Sequence, residues 1–203
     1  MKIHPLDIKP KHLYLNQGLI LLIALITVYV FYIRQGYSWF TLFYGANLWT
    51  ALIYGTAVAV VLIVLQIAIT YLPEKLWEDD GTNLIFYRMP YHHLLPIMAL
   101  GAVAEEVLFR LAIQTGLMIL TNVPLLAIVV SSLVFSLAHV RYLKKPVLFL
   151  SVYGMSIGLG GLYWWTNNIW SVVWSHFIVN MAMIYFGKKG KFIPKAQQKL
   201  LLY

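Results

Sequence analysis

Cysteine is absent from the 203 residues of this chain, which excludes disulfides, thiolate metal sites and a cysteine nucleophile. Charge is scarce as well. Asp, Glu, Lys and Arg together make up 11% of residues against 61% hydrophobic ones, a balance that soluble globular domains rarely have. With a mean hydropathy of +0.77, these figures predict an integral membrane protein. No long polar stretch leaves room for a soluble module, so a single membrane-embedded domain over residues 1–203 is expected. Acidic residues are the scarcest charges, 7 against 15 Lys and Arg for a net +8. The basic excess lies in short clusters between apolar runs, which points to membrane topology and argues against a nucleic-acid partner.

What the chain has in abundance is apolar runs long enough to cross a bilayer, each needing roughly 17 to 25 residues as helix. They fall at about 16–33, 48–72, 94–120, 123–142, 146–164 and 168–187. The predicted fold class is therefore all-α, a polytopic transmembrane bundle of about six spans in the cell membrane. The first run shows no small-residue cleavage pattern after Tyr32 and reads as an uncleaved span.

The distribution of Lys and Arg sets the orientation. With the N-terminus cytoplasmic, one side collects Lys2, Lys9, Lys11, Lys75, Arg88, Arg141, Lys144, Lys145, Lys188, Lys189, Lys191, Lys195 and Lys199, and the other collects Arg34 alone. Both termini are thus expected in the cytoplasm. The largest connection, Pro73 to His93, reads as a solvated loop with an interfacial segment. Adjacent His92 and His93 point about 100° apart on a helix, which argues against a metal site there. Gly154, Gly158 and Gly161 predict close helix approach. Trp164, Trp165 and Trp170 read as an aromatic belt.

The residues that carry chemistry are polar groups inside the spans. The run ALGAVAEEVLFRLAIQ, residues 99–114, holds Glu105, Glu106 and Arg110. An ionised side chain at mid-bilayer costs about 2.5 to 3.5 kcal/mol even on the lenient insertion scale, so three together require compensation. Glu106 and Arg110 stand four apart with the acid first, the favourable order for a helical ion pair. Glu105 points about 100° away and is left without a cation of its own. VVSSLVFSLAHV brings His139 in a later span, and SVVWSHFIVNMAM brings His176 and Asn180 onto one helix face.

A carboxylate, two imidazoles and an amide converging between helices could take a proton from water and stabilise an oxyanion. Taken singly, each His or Asn also reads as interhelical glue, and the Glu106–Arg110 pair as a fixer of helix register. Depth counting at about 1.5 Å per residue separates His139 from His176 by about 10 Å, a mismatch that the fold must absorb. Intramembrane carboxylates would also suit an ion-coupled carrier, but the chain shows neither repeated halves nor paired broken helices.

The order EEVLFR (105–110), FSLAH (135–139) and HFIVN (176–180) resembles the EExxxR, FxxxH and HxxxN motifs of the intramembrane protease family that includes type II CaaX prenyl endopeptidases and bacteriocin self-immunity proteins (the CPBP family). All seven defining positions match, Phe135 among them, within a core at about 94–187. The resemblance implies an endopeptidase whose site opens toward the cytoplasm and whose substrate is a membrane-associated peptide or protein. It gives Glu105 and His139 the activation of water, His176 and Asn180 the oxyanion, and Glu106 and Arg110 a supporting ion pair. The family is also called a metalloprotease family, which would make Glu105, His139 and His176 zinc ligands. HExxH spacing is absent, and a metal-free mechanism with no cofactor is favoured because the unpaired Glu105 beside the Glu106–Arg110 pair matches it. Leu111 follows the arginine where many members carry glycine, and the short chain puts a prenylated substrate in doubt. A non-proteolytic immunity or scaffolding role is the alternative.

Overall fold

A computed structural model of the chain describes residues 9–38, 42–43, 47–191 and 193–194. Lys2, Lys195 and Lys199, which entered the orientation argument, lie outside the described residues. Among those described, the chain is helical and no strand occurs. The long elements are α1 (Pro10–Phe31), α2 (Leu48–Ile69), α5 (Tyr91–Glu106), a π-helical stretch (Val107–Gln114) continued by α6 (Thr115–Thr121), α7 (Pro124–Ala138), α8 (Pro146–Thr166) and α9 (Ile169–Lys188). Two short helices, α3 (Glu74–Trp77) and α4 (Leu84–Arg88), lie between α2 and α5.

Local chemistry sets these boundaries. Pro10, Pro124 and Pro146 occupy first-turn positions, where a missing N–H costs nothing and φ is already helical. Asn47 and Asn168 cap α2 and α9 by accepting from backbone N–H groups of the first turn. Asn122 and Asn167 end α6 and α8 with φ of 53° and 45°, the left-handed conformation that asparagine tolerates better than most side chains.

Side-chain pairs give the direction of each pass. Against the pass formed by α5, the π stretch and α6, α1 runs parallel, with Tyr14 donating to the His93 carbonyl and Tyr32 to that of Ala112. α7 runs antiparallel to it, since Gln114 meets Ser131 and Arg110 meets Ser132. α8 is parallel again, through Arg110 with Ser156 and Thr115 with Tyr163. α2 is antiparallel to α8, through Gln66 with Ser151 and Tyr54 with Trp165, and parallel to α9, through Asn168 with Asn47 and Trp174 with Thr56. Successive passes therefore alternate in direction, which gathers the described basic residues outside the helices at one end and leaves Arg34 at the other.

Four helices are long and apolar enough to cross a membrane by length and composition: Pro10–Gln35, Leu48–Ile69, Pro146–Thr166 and Ile169–Lys188. The fourth predicted run is shorter than expected, because α7 stops at Ala138. Its 15 residues reach about 22 Å at 1.5 Å per residue, less than the hydrocarbon thickness.

The core joins Ala24 and Val28 of α1, Ala59 and Leu62 of α2, Val107 and Leu111, Leu159 of α8 and Val179 of α9. Close approach falls on other glycines than expected. Gly154 and Gly161 face open space, and of the three only Gly158 meets a neighbour, Leu62. The tight contacts are at Gly187, where a Cβ would run into the Tyr87 ring, at Gly55, where it would come within 2.6 Å of the Ser171 carbonyl oxygen, and at Gly116 and Gly160.

The connection from Pro73 to His93 also departs from the solvated loop expected. Leu84, Ile85 and Met89 are buried, and Lys188 Nζ donates to the carbonyls of Tyr87 (2.9 Å) and Met89 (2.6 Å). A run with this many apolar and aromatic residues folds back on the bundle because burying them outweighs leaving them at the interface.

Candidate active site

Glu106 closes α5, and the next eight residues are π-helical, a winding found frequently at functional sites. Glu106, Arg110 and Gln114 lie on this segment, all fully buried. The expected ion pair is present: Arg110 Nε donates to Glu106 Oε2 at 2.9 Å. The guanidinium is further held by Gln114 of its own stretch and by one serine from each of two other helices. Nη2 donates to Ser156 Oγ at 2.7 Å, and Nη1 faces Gln114 Oε1 at 3.4 Å and Ser132 Oγ at 3.5 Å. Gln114 in turn donates to the Gly160 carbonyl at 2.9 Å. A Cβ on Gly160 would stand 2.9 Å from Gln114 Oε1 and 3.1 Å from Arg110 Nη1, so only glycine leaves this polar cluster its room. Buried ion pairs repay desolvation only when remaining donors and acceptors are satisfied, and here they are.

Sequence reasoning assigned Glu106 wholly to Arg110, and the structure corrects that. Its second oxygen, Oε1, accepts from His176 Nδ1 at 2.6 Å. The carboxylate thereby joins two helices and fixes the imidazole, leaving His176 Nε2 directed to Glu105, whose Oε2 is 3.9 Å away. The two adjacent acids occupy different surroundings: the Glu106 side chain is 0% exposed and that of Glu105 21%.

His139 follows the last residue of α7 and its Nδ1 lies 2.9 Å from the Phe135 carbonyl. A carbonyl only accepts, so Nδ1 carries the proton and Nε2 of the neutral ring keeps its lone pair. Phe135 is the common wall of the site. Its ring centroid is 4.6 Å from that of His139 and 6.2 Å from that of His176, and the Arg110 guanidinium carbon sits 5.8 Å away. Phe109 packs edge-on against it at 4.9 Å.

Glu105, His139, His176 and Asn180 all line one cavity of about 550 Å³. His139 and His176 both pack against the Phe135 ring, which brings the two histidines to one cavity despite their expected difference in depth. Of the four, the structure brings Glu105 and His176 into near contact; His139 and Asn180 share the cavity without a bond to either. Asn83, Arg141 and Tyr142 also line it, which places its mouth at the basic end of the bundle. Tyr87 belongs to this rim, where burial pushes its phenol up, with the Asp79 carboxylate adding to the effect.

The zinc set fits less well. Among the described residues, no group of three or more His, Asp or Glu side chains is arranged to hold a metal ion, and His139 stands apart from the Glu105–His176 pair.

Residues 88–182 match the family model described as type II CAAX prenyl endopeptidase Rce1-like. The match covers 95 of the 203 residues. The matched segment starts within α4, ends in α9 and contains all seven motif positions, while α1 and α2 lie outside it. The uncharacterised protein YpbD of Bacillus subtilis (strain 168) is 36% identical over 129 residues, 63% of this chain and 64% of that protein. The chain thus spans less than two thirds of the length of this curated relative. No solved structure matches the chain.

Residues missed from sequence were Gln114, Ser132 and Ser156. Gln114 had a usable signal, since it stands four after Arg110 in an otherwise apolar run, the same spacing that identified Glu106.

Proposed function

We propose that this protein is an intramembrane endopeptidase that hydrolyses a peptide bond of a membrane-associated peptide or protein near the cytoplasmic end of the bundle. The observation that carries this reading is the shared cavity of Glu105, His139, His176 and Asn180, with Glu105 Oε2 3.9 Å from His176 Nε2 and the neighbouring Glu106 withdrawn into a dry ion pair. Glu105 is the open carboxylate and His139 the imidazole with a free lone pair. His139 accepts a hydrogen bond from a water and orients it, and Glu105 takes the water's other proton as the water oxygen attacks the scissile carbonyl.

Charge then develops on the carbonyl oxygen as the tetrahedral intermediate forms. The Asn180 amide and His176, donating from Nε2 as an imidazolium while Nδ1 stays on Glu106, are the groups that meet it. Collapse breaks the C–N bond, and the proton held by Glu105 passes to the leaving amine. Arg110, Ser132 and Ser156 position the site through Glu106. The basic clusters at the mouth favour a cytoplasmic opening with both termini on that side.

The test is cleavage of a membrane-peptide library, prenylated and unprenylated, by purified wild-type protein and by His139→Ala. Cleavage by wild type that drops at least about 100-fold in the variant, the contribution typical of a general base, supports the reading. Equal cleavage by both would refute the role of His139. No cleavage by folded wild type would favour a non-proteolytic immunity or scaffolding role.

A further inference from the structure

The eight residues Val107–Gln114 are π-helical, long for a winding that mostly occurs as single-turn bulges inside α-helices. Contacts from outside the segment are therefore needed to hold it. Two buried tyrosines that do not line the cavity supply them. Tyr32, the residue after α1, donates from its hydroxyl to the Ala112 carbonyl. Gly116 leaves the room for this bond, since a Cβ there would stand 2.9 Å from the Tyr32 hydroxyl oxygen.

The second grip comes from α8. Thr115 N–H is shared between the carbonyls of Ala112 and of Arg110, five residues back, and Thr115 Oγ1 donates to the same Arg110 carbonyl at 3.1 Å. In an α-helix a threonine hydroxyl bonds the carbonyl three or four residues back, so a bond to the fifth belongs to the wider turn. With its one proton given to Arg110, the hydroxyl accepts from Tyr163 at 3.0 Å.

The carbonyls on either side of Leu111 are thus held from two helices, and one of them belongs to Arg110. The guanidinium of that residue fixes Glu106, and Glu106 fixes His176. A π turn closes over one residue more than an α turn, so rewinding one turn as α-helix would rotate the chain across it by up to about 100°. Such a rotation would part Arg110 and Glu106 from their partners on the neighbouring helices.

We infer that Tyr32 is a positioning residue that, together with Tyr163, holds the π winding in the register that delivers Glu106 to His176, so that the end of α1, outside the matched segment, acts on the site from beyond the cavity. Its effect on catalysis rests on the endopeptidase reading; its effect on the His176 bond does not.

Tyr32→Phe keeps the buried ring and removes the hydroxyl. A tyrosine that only ties α1 to the bundle would lower the melting temperature on this change and leave the site as it was. The control is Tyr14→Phe, which removes the bond from α1 to the His93 carbonyl, away from the π stretch. The readout independent of catalysis is the His176 Nδ1–H proton resonance in detergent-solubilised protein labelled with 15N-histidine, identified by its absence in His176→Gln. A bond of 2.6 Å to a carboxylate is short and shifts such a proton far downfield. In Tyr32→Phe this resonance should move upfield or broaden, and kcat for peptide cleavage should fall roughly tenfold with KM nearly unchanged. Tyr14→Phe should match wild type in both. Gly116→Ala, whose methyl pushes against the Tyr32 hydroxyl, should reproduce the loss and add nothing to Tyr32→Phe, where the oxygen is gone; it carries the same test if Tyr32→Phe does not fold.

An unmoved His176 resonance in the folded variant, an equal change in Tyr14→Phe, or a wild-type kcat without the Tyr32 hydroxyl overturns the inference. A resonance that moves in Tyr32→Phe alone, in a protein whose wild type cleaves nothing, leaves the positioning role standing and removes the endopeptidase reading.

Discussion

His176 bridges two adjacent carboxylates of one helix, with Nδ1 2.6 Å from Glu106 Oε1 and Nε2 3.9 Å from Glu105 Oε2. The dipeptide Glu105–Glu106 is thereby divided into an anchor and a carboxylate that lines the cavity. Arg110 and His176 hold the first in the dry interior, and the second stays open to the cavity.

Removing the anchor should unfold the site. Glu106→Ala leaves Arg110 buried without its anion, a change that costs about 3–5 kcal/mol in comparable buried pairs. A clear fall in melting temperature in detergent, together with loss of activity, is expected. An unchanged melting temperature would mean that the pair contributes little to the fold.

Gly160→Ala should act at a distance from the cavity. The added methyl meets Gln114 Oε1 and Arg110 Nη1, and overpacking of this kind costs about 1–3 kcal/mol. Gly154→Ala, with open space around its Cβ, is the control and should melt like wild type.

Lys188 fixes the connection over the cavity mouth through the carbonyls of Tyr87 and Met89. Lys188→Met should speed proteolytic nicking and hydrogen exchange across 84–89 without altering exchange in α2. Equal protection in both proteins would show that the buried apolar residues Leu84 and Ile85 suffice.

Tyr87 gives the same connection a dependence on alkaline pH. Its folded pKa lies above the ordinary 10.0 through burial and Asp79, so the folded state holds the proton more tightly than the unfolded one. The neutral phenol's contribution is fully present below pH 10.0 and is lost as pH rises through the higher folded value. Thermal melts stepped upward from that pH should show the loss, and Tyr87→Phe should flatten it.

Much of this was legible in the sequence, and for identifiable reasons. Glu106 and Arg110 lie on one helix, where spacing alone gives contact, and the apolar runs mark their own helices. Asn180 follows His176 by one turn, so the shared cavity face was also readable. The bond from His176 to Glu106 was not, because it depends on how α5 and α9 are rotated against each other, which no single helix encodes. The same holds for Ser132 and Ser156, ordinary serines in apolar runs until Arg110 is placed between them. The end of α7 at Ala138 was missed because the run was drawn on to Tyr142, through His139 and Arg141, where the polar side chains already break the apolar pattern. The packing of Leu84, Ile85 and Met89 of the Pro73–His93 connection onto the bundle was not legible, because it depends on where the connection folds back and not on local spacing.

The division between Glu105 and Glu106 is tested most directly by Glu105→Gln, which keeps the shape of the side chain and removes its charge. Peptide cleavage by the purified variant should fall at least about 100-fold, with the melting temperature held within a degree or two of wild type because the Glu106–Arg110–His176 cluster is untouched. Undiminished cleavage by Glu105→Gln would contradict the account.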